Sequence, residues 1–117
     1  MKAQIERQLQ NEFVKYINST SQCVALVFDN KGSFDPTKGI FKKTIGRTLG
    51  VSDLILLFPK GKTIFVEVKT PRIGTSAKEG QLSKHQIEFK RKVEDLGFDY
   101  YIAKTLDDIK CILLKYE

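Results

Sequence analysis

The sequence contains no tryptophan, one histidine, one methionine and two cysteines. Cys23 and Cys111 lie far apart and lack metal-ligand spacing, so we interpret them as reduced, small hydrophobic residues rather than zinc ligands or a disulfide framework. No run of about 18 or more apolar residues occurs, which excludes a membrane-spanning helix. The first residues, MKAQIERQLQ, lack the apolar core of a signal peptide, so we expect a cytoplasmic protein.

Positive charge, by contrast, is in excess. Lys and Arg number 20 against 14 Asp and Glu, which gives a net charge of +6 and a pI of about 9.3. Cations predominate between Lys38 and Lys92, whereas acids predominate from Val93 onward. A basic middle region indicates one surface that binds a polyanion. The alternative is a charged surface that only keeps the protein soluble.

Length and periodicity predict one α/β domain over residues 1–117, with a single modest core. Residues 3–17 carry apolar side chains at helical spacing, and helices are also predicted over 83–96 and 106–116. Strands are predicted over 23–28, 54–58, 63–69 and 100–103, and a loop over 29–39. The strand at 23–28 is of the buried type. The expected architecture is a small mixed central sheet flanked by helices.

The strands at 54–58 and 63–69 are predicted to form a hairpin, because Pro59, Lys60 and Gly61 form a turn between them. The first strand is continuously apolar, as expected of a strand covered on both faces. In the second strand, Glu67 and Lys69 point to the same face. The turn lies about midway between Asp53 and Glu67, so the hairpin can bring these two acids together.

Two carboxylates at close range repel each other unless a cation lies between them. Asp53 and Glu67 offer oxygen ligands, which favour Mg²⁺ or Mn²⁺, with the backbone carbonyl of Val68 and waters completing the set. Such an ion activates water for attack on a phosphodiester, and Lys69 can orient or deprotonate that water or stabilise the pentavalent phosphorus centre. The alternative for Glu67 and Lys69 is an ion pair on a solvent-facing strand.

An ordered set of motifs resembles the VRR-NUC family of the PD-(D/E)xK nucleases. The motifs are GVSD ending at Asp53, EVK from Glu67 to Lys69, LSKHQ ending at Gln86, GFDYYI after Leu96, and TLDDI. The resemblance runs from the first helix to the end and is weakest over residues 28–48. Ser52 stands where many members of the family have proline.

The resemblance implies a restriction-endonuclease-like core and phosphodiester hydrolysis that depends on Mg²⁺ or Mn²⁺. By position, Asp53 and Glu67 would hold the metal, Lys69 would serve the water, and Gln86 would lie near the site. Stand-alone members of this size are similar to phage nucleases that act as homodimers on branched DNA such as Holliday junctions. The location implied is then the cytoplasm of a bacterial host.

The family's acidic residue on the first helix falls best on Glu6, with Glu12 as the alternative. A helical wheel places Glu6 inside the apolar stripe and Glu12 at its edge. A carboxylate on a core-facing stripe is costly unless it is paired or binds a metal. Glu6 is therefore the expected site acid.

Gln86 has two interpretations. It completes a capping box with Ser83 at the start of a helix, a purely structural role, whereas the family pattern makes it a site residue that would bond a water or the Lys69 region. His85, the single histidine, is interpreted as a surface helix residue rather than a base.

Four function classes compete for these residues. The first is a metal-dependent, structure-specific endonuclease, and the second is a catalytically silent nucleic-acid-binding module with the same fold. The third is a restriction-type or nicking nuclease on other DNA, which would require a helix that reads base edges. The fourth is a protein-binding adaptor, which would show neither metal dependence nor DNA affinity. The Asp53, Glu67 and Lys69 set favours the first.

Six cations flank the predicted site in the sequence, and we expect them to contact DNA phosphates. They are Lys42, Lys43, Arg47, Arg72, Lys78 and Lys84. Neutralising Lys42, Lys43 and Arg47 together should weaken DNA binding and reduce its salt slope, because fewer counterions are released. Titrations at several salt concentrations check this, and an unchanged affinity and slope would remove these residues from the DNA-binding surface.

Overall fold

The computed structural model describes residues 2–20, 22–28, 33–35, 40–42, 51–71 and 81–117. Three helices and six strands lie in these ranges. They are α1 (Lys2–Thr20), β1 (Val24–Val27), β2 (Ser33–Asp35), β3 (Ile40–Lys42), β4 (Leu54–Leu57), β5 (Thr63–Val68), α2 (Lys84–Asp95), β6 (Asp99–Ala103) and α3 (Leu106–Leu114).

A four-stranded mixed sheet in the order β1-β4-β5-β6 forms the centre of the fold. β4 pairs antiparallel with both β1 and β5, and β5 pairs parallel with β6 through the crossover helix α2. The strands β2 and β3 form a separate antiparallel pair. The α/β fold class and the mixed sheet flanked by helices are confirmed.

The predicted hairpin is present as β4 and β5, with Leu54 paired to Val66 and Leu57 to Thr63. A 3-10 turn over Pro59–Gly61 closes it, in which Lys60 and Gly61 both adopt positive φ values of 67° and 77°. Glycine adopts this conformation without steric cost, whereas lysine does so at some expense. The turn therefore fixes the register of β4 and β5, which places Asp53 opposite Glu67.

The two faces of β5 have different roles. Ile64, Val66 and Val68 are buried in a core cluster with Phe13 and Ile17 of α1. α3 adds three further residues to that cluster: Ile109, Ile112 and Leu113. The opposite face carries Phe65, which makes an edge-on ring contact with Phe89 of α2 at 5.5 Å between centroids. The helices α1 and α3 thus cover one face, and α2 covers the face on which Glu67 lies.

Local signals fix the ends of α2. Ser83 caps the helix: its hydroxyl accepts a bond from the Gln86 amide, and the Gln86 side chain accepts one from the Ser83 amide, as the sequence predicts. The chain leaves the helix through Gly97, whose φ of 96° is readily adopted by glycine. These caps place Gln86 in the first turn, beside the end of β5.

Three expectations for the strands were wrong. Residues 29–39 were expected to form a loop, yet Ser33–Asp35 is a strand paired with Ile40–Lys42. The strand at 23–28 was expected to be buried, but Val24 is 57% exposed, because β1 is an edge strand that pairs with β4 alone among the described strands. β4 is not covered on both faces: Leu54 and Leu56 are fully buried, whereas Leu57 is exposed.

Within the described residues, no helix is long and apolar enough to cross a membrane.

Candidate active site

Asp53 lies at the open end of the hairpin, one residue before β4. Its backbone carbonyl accepts a bond from the Phe28 amide at 3.0 Å, which attaches it to the end of β1. Because Leu54 is paired with Val66, the next position in the antiparallel register brings Asp53 opposite Glu67. The sequence prediction that the hairpin joins these two acids therefore agrees with the structure.

Two hydrogen bonds connect Asp53 to Glu67 and to the next residue, Val68. The Asp53 amide donates to Glu67 Oε1 at 3.2 Å, and the Val68 amide donates to Asp53 Oδ2 at 2.9 Å. Each side chain accepts from the backbone of the opposite strand, so both carboxyl groups have fixed orientations. The arrangement extends the hairpin beyond its regular ladder by side chain–backbone bonds.

Glu67 is only 2% exposed although it carries a carboxyl group. Burial, reinforced by the negative charge of Asp53, raises the pKa of Glu67 to about 8. Lys69 opposes this shift, with its Nζ 3.6 Å from Glu67 Oε2. Lys69 is itself 8% exposed, so the Glu67–Lys69 pair is not the solvent-facing ion pair that the sequence left as an alternative.

Gln86 completes the helix cap and also contacts the acid pair. Its Oε1 accepts from the Ser83 amide at 2.8 Å, which completes the cap, and its Nε2 donates to Glu67 Oε2 at 2.7 Å. Because the capping bond uses the oxygen, the amide nitrogen is directed at the acid. Gln86 therefore connects the beginning of α2 to the carboxyl end of β5.

A divalent cation fits this set of oxygen atoms. A buried Glu67 with a raised pKa beside a second carboxyl group is an arrangement that a cation would stabilise, and each carboxylate oxygen retains acceptor capacity beyond one hydrogen bond. The described residues contain no cluster of three or more His, Cys, Asp or Glu side chains suited to a metal. The other ligands would then be waters and a backbone carbonyl, for which Val68 remains the predicted source.

The two candidate acids of the first helix differ in exposure. Glu6 is half-buried and Glu12 is exposed. None of the hydrogen bonds or ion pairs found among the described residues joins either acid to Asp53 or Glu67. The role of Glu6, with Glu12 as the alternative, stays a prediction.

The predicted DNA-contacting cations lie mostly outside the described residues. Lys43, Arg47, Arg72 and Lys78 are in that group, and of Lys42 the structure gives the backbone in β3. Lys84 is described: it is the first residue of α2, is exposed and lies in the same first turn as Gln86. His85 is exposed as well, with Nδ1 4.0 Å from a Glu88 carboxylate oxygen, in agreement with its interpretation as a surface residue.

Sequence reasoning missed two buried polar side chains near these acids. Ser52 is fully buried beside Asp53, and its hydroxyl donates to the Leu54 carbonyl at 3.0 Å. Tyr100 of β6 is also buried and pairs in register with Phe65, on the face that carries Glu67. The signal available for Tyr100 was the alternation of side chains along β6, but its alignment with β5 could not be read from that strand alone.

Comparisons with known proteins identify the family and the fold. The family profile of the VRR-NUC domain matches residues 1–106. The chain belongs to the VRR-NUC domain family. It is therefore a nuclease-type, DNA-processing domain. A solved structure described as a VRR_NUC domain is similar over 97% of this chain and 98% of its own, with 16% identity and a TM-score of 0.60, which supports the fold. No curated protein matches the sequence.

The raised pKa of Glu67 predicts an unusual pH dependence of stability. Between its ordinary value of 4.5 and about 8, folded Glu67 retains a proton that the unfolded chain has released. In metal-free buffer the free energy of unfolding should therefore fall as pH rises through this window, by at most about 1.4 kcal/mol per pH unit. Urea denaturation between these pH values, in the presence of EDTA, measures it.

Two variants separate this effect from other titrations. Glu67→Gln should remove the decline, because the amide cannot release a proton. His85→Gln should leave the decline intact, because His85 is exposed and its carboxylate contact is Glu88 rather than Asp53 or Glu67. A decline that persists unchanged in Glu67→Gln would show that Glu67 is not the group responsible.

Proposed function

We propose that this domain is a metal-dependent endonuclease that hydrolyses phosphodiester bonds in DNA. The observation that carries the proposal is the buried Glu67 carboxyl group beside Asp53, with Lys69 Nζ 3.6 Å from Glu67 and Gln86 bonded to the same carboxyl group, in a nuclease-family domain. A domain that only bound DNA would gain nothing from burying Glu67 beside a second acid, because burial of a charged group costs free energy.

The proposed cofactor is Mg²⁺ or Mn²⁺, held by Asp53, Glu67 and the backbone carbonyl of Val68. When bound, such an ion lowers the pKa of water and neutralises charge that builds on the phosphoryl oxygens. Both ions take oxygen ligands. The reciprocal bonds between the hairpin strands would hold the two carboxyl groups in place before the ion arrives, which reduces the reorganisation that binding requires.

Lys69 and Gln86 are proposed to act beside the acids. Lys69 is a cation in a water-poor position, where a donor is worth more than in bulk solvent. Its ammonium group would orient the attacking water or stabilise charge on the phosphorus centre. Gln86 fixes the Glu67 carboxyl group through its 2.7 Å bond and so acts as a positioning residue.

The proposed substrate is branched DNA of the Holliday-junction type, cut by a homodimer. A four-way junction has two-fold symmetry, and a two-fold dimer would present one site to each of two equivalent strands. The excess of positive charge supports DNA as the partner. Sedimentation tests the dimer: a monomer, both alone and with junction DNA, would contradict it.

The central test is cleavage of labelled four-way junction, duplex and single-stranded DNA with Mg²⁺, Mn²⁺ or EDTA. We expect metal-dependent cutting of the junction. Lys69→Ala should lower the rate by about 100-fold or more, the usual effect of removing a charge-stabilising donor. Single-turnover rates measure this with protein in excess.

Lys62→Ala is the matched control, since it removes another lysine of the same hairpin. Lys62 is partly exposed, lies at the closed end and pairs with Asp99 at 3.1 Å, so cleavage should not change. DNA binding without cutting of any substrate would contradict the endonuclease and indicate a silent binding module. Cutting of duplex and junction at equal rates would contradict the branched substrate alone.

The two roles of Gln86 can be separated with Ser83. Ser83→Ala and Gln86→Ala each remove one bond of the capping box, so each should lower stability by about 0.5–2 kcal/mol. Gln86→Ala also removes the bond to Glu67, and its cleavage rate should fall by roughly tenfold or more. Equal cleavage rates for the two variants at matched stability would limit Gln86 to the cap.

A further inference from the structure

The hydroxyl group of Tyr100 is buried and has no hydrogen-bond partner in the part of the chain that the structure describes. Tyr100 is 7% exposed, and among the described residues its oxygen is the buried side-chain polar atom that lacks a partner. The neighbouring Tyr101 differs, since its hydroxyl lies 2.6 Å from that of Tyr116. An unpaired buried hydroxyl costs free energy that phenylalanine would avoid. Its presence therefore indicates a partner beyond the described residues.

Tyr100 lies on the same face of the sheet as Glu67. It is paired in parallel register with Phe65, two residues before Glu67, and side chains in register share a face of the sheet. That face lies under α2, where the Tyr100 ring contacts Phe89 edge-on at 6.5 Å between centroids. Tyr100 thus lies between the sheet and the crossover helix that carries Gln86.

The negative charges of the acid pair act on the Tyr100 hydroxyl. Burial raises the pKa of Tyr100, and the nearby carboxylates of Glu67, Asp53 and Glu94 raise it further, with Glu67 the largest contributor of the three. The hydroxyl is therefore protonated and available as a donor. No direct bond joins it to Glu67, and buried polar groups separated in this way are commonly bridged by ordered water.

We propose that the Tyr100 hydroxyl donates a hydrogen bond to a water molecule located between it and the Glu67 carboxyl group. Tyr100 is then a positioning residue that keeps water at the acid pair. The role of that water in cleavage rests on the proposed nuclease function, whereas its presence does not. The hydroxyl then has no partner among the described residues because its partner is solvent held at the site.

Paired variants test the proposal: Tyr100→Phe and Tyr101→Phe each delete one hydroxyl from adjacent positions of β6. Tyr100→Phe should lower the single-turnover cleavage rate roughly tenfold, the value of one hydrogen bond. It should leave DNA affinity unchanged and the melting temperature of the metal-free protein undiminished. Tyr101→Phe should show the opposite pattern, with unchanged cleavage and a lower melting temperature, because its hydroxyl has a protein partner.

A crystal structure of the metal-free protein provides a readout that does not depend on activity. We expect a water within about 3.2 Å of both the Tyr100 hydroxyl and a Glu67 carboxylate oxygen, and its absence in Tyr100→Phe. Any one of three results would overturn the proposal. They are a crystal structure with no water between the Tyr100 hydroxyl and Glu67, an unchanged cleavage rate in Tyr100→Phe, and a Tyr100→Phe protein that melts well below wild type. If wild type cuts no DNA, the nuclease function fails, and the crystallographic water still decides the position of the hydroxyl's partner.

Discussion

The site depends on two acids that meet at the open end of one hairpin, where Glu67 is buried beside Asp53. Asp53 accepts from the Val68 amide, and Glu67 accepts from the Asp53 amide, so each carboxyl group satisfies a backbone donor of the opposite strand. Buried backbone donors must find partners, and here functional side chains supply them. The acids are thus part of the sheet's own hydrogen bonding, and their separation is set by the register of β4 and β5.

The division of β5 between its two faces explains how a small sheet accommodates this cost. Ile64, Val66 and Val68 are essentially fully buried against α1 and α3, and burial of apolar area there stabilises the strand. Glu67 occupies the other face, where desolvation raises its pKa to about 8. The free energy that the core face contributes is what allows an acid to remain in a nearly dry position on the opposite face.

The sequence predicted those features whose signals are local. The hairpin followed from the turn at Pro59 to Gly61, and the start of α2 followed from Ser83 and Gln86. The exposure of β1 could not be predicted in this way, because it depends on which strand lies at the edge of the sheet. Tyr100 was missed for a similar reason: its alignment with Phe65 is set by a parallel pairing across α2, and no local pattern encodes that register.

The parallel pairing of β5 and β6 also determines where α2 must begin. A crossover helix starts from the carboxyl end of the first strand, and that end carries Glu67 and Lys69. Ligand sites in open α/β sheets form at this end of the strands. Since the Gln86 oxygen is used by the Ser83 amide, its nitrogen can present only a donor to Glu67. The same bond that begins the helix therefore sets the polarity of the contact that Gln86 makes with the acid, so the cap and the site cannot be varied independently at this residue.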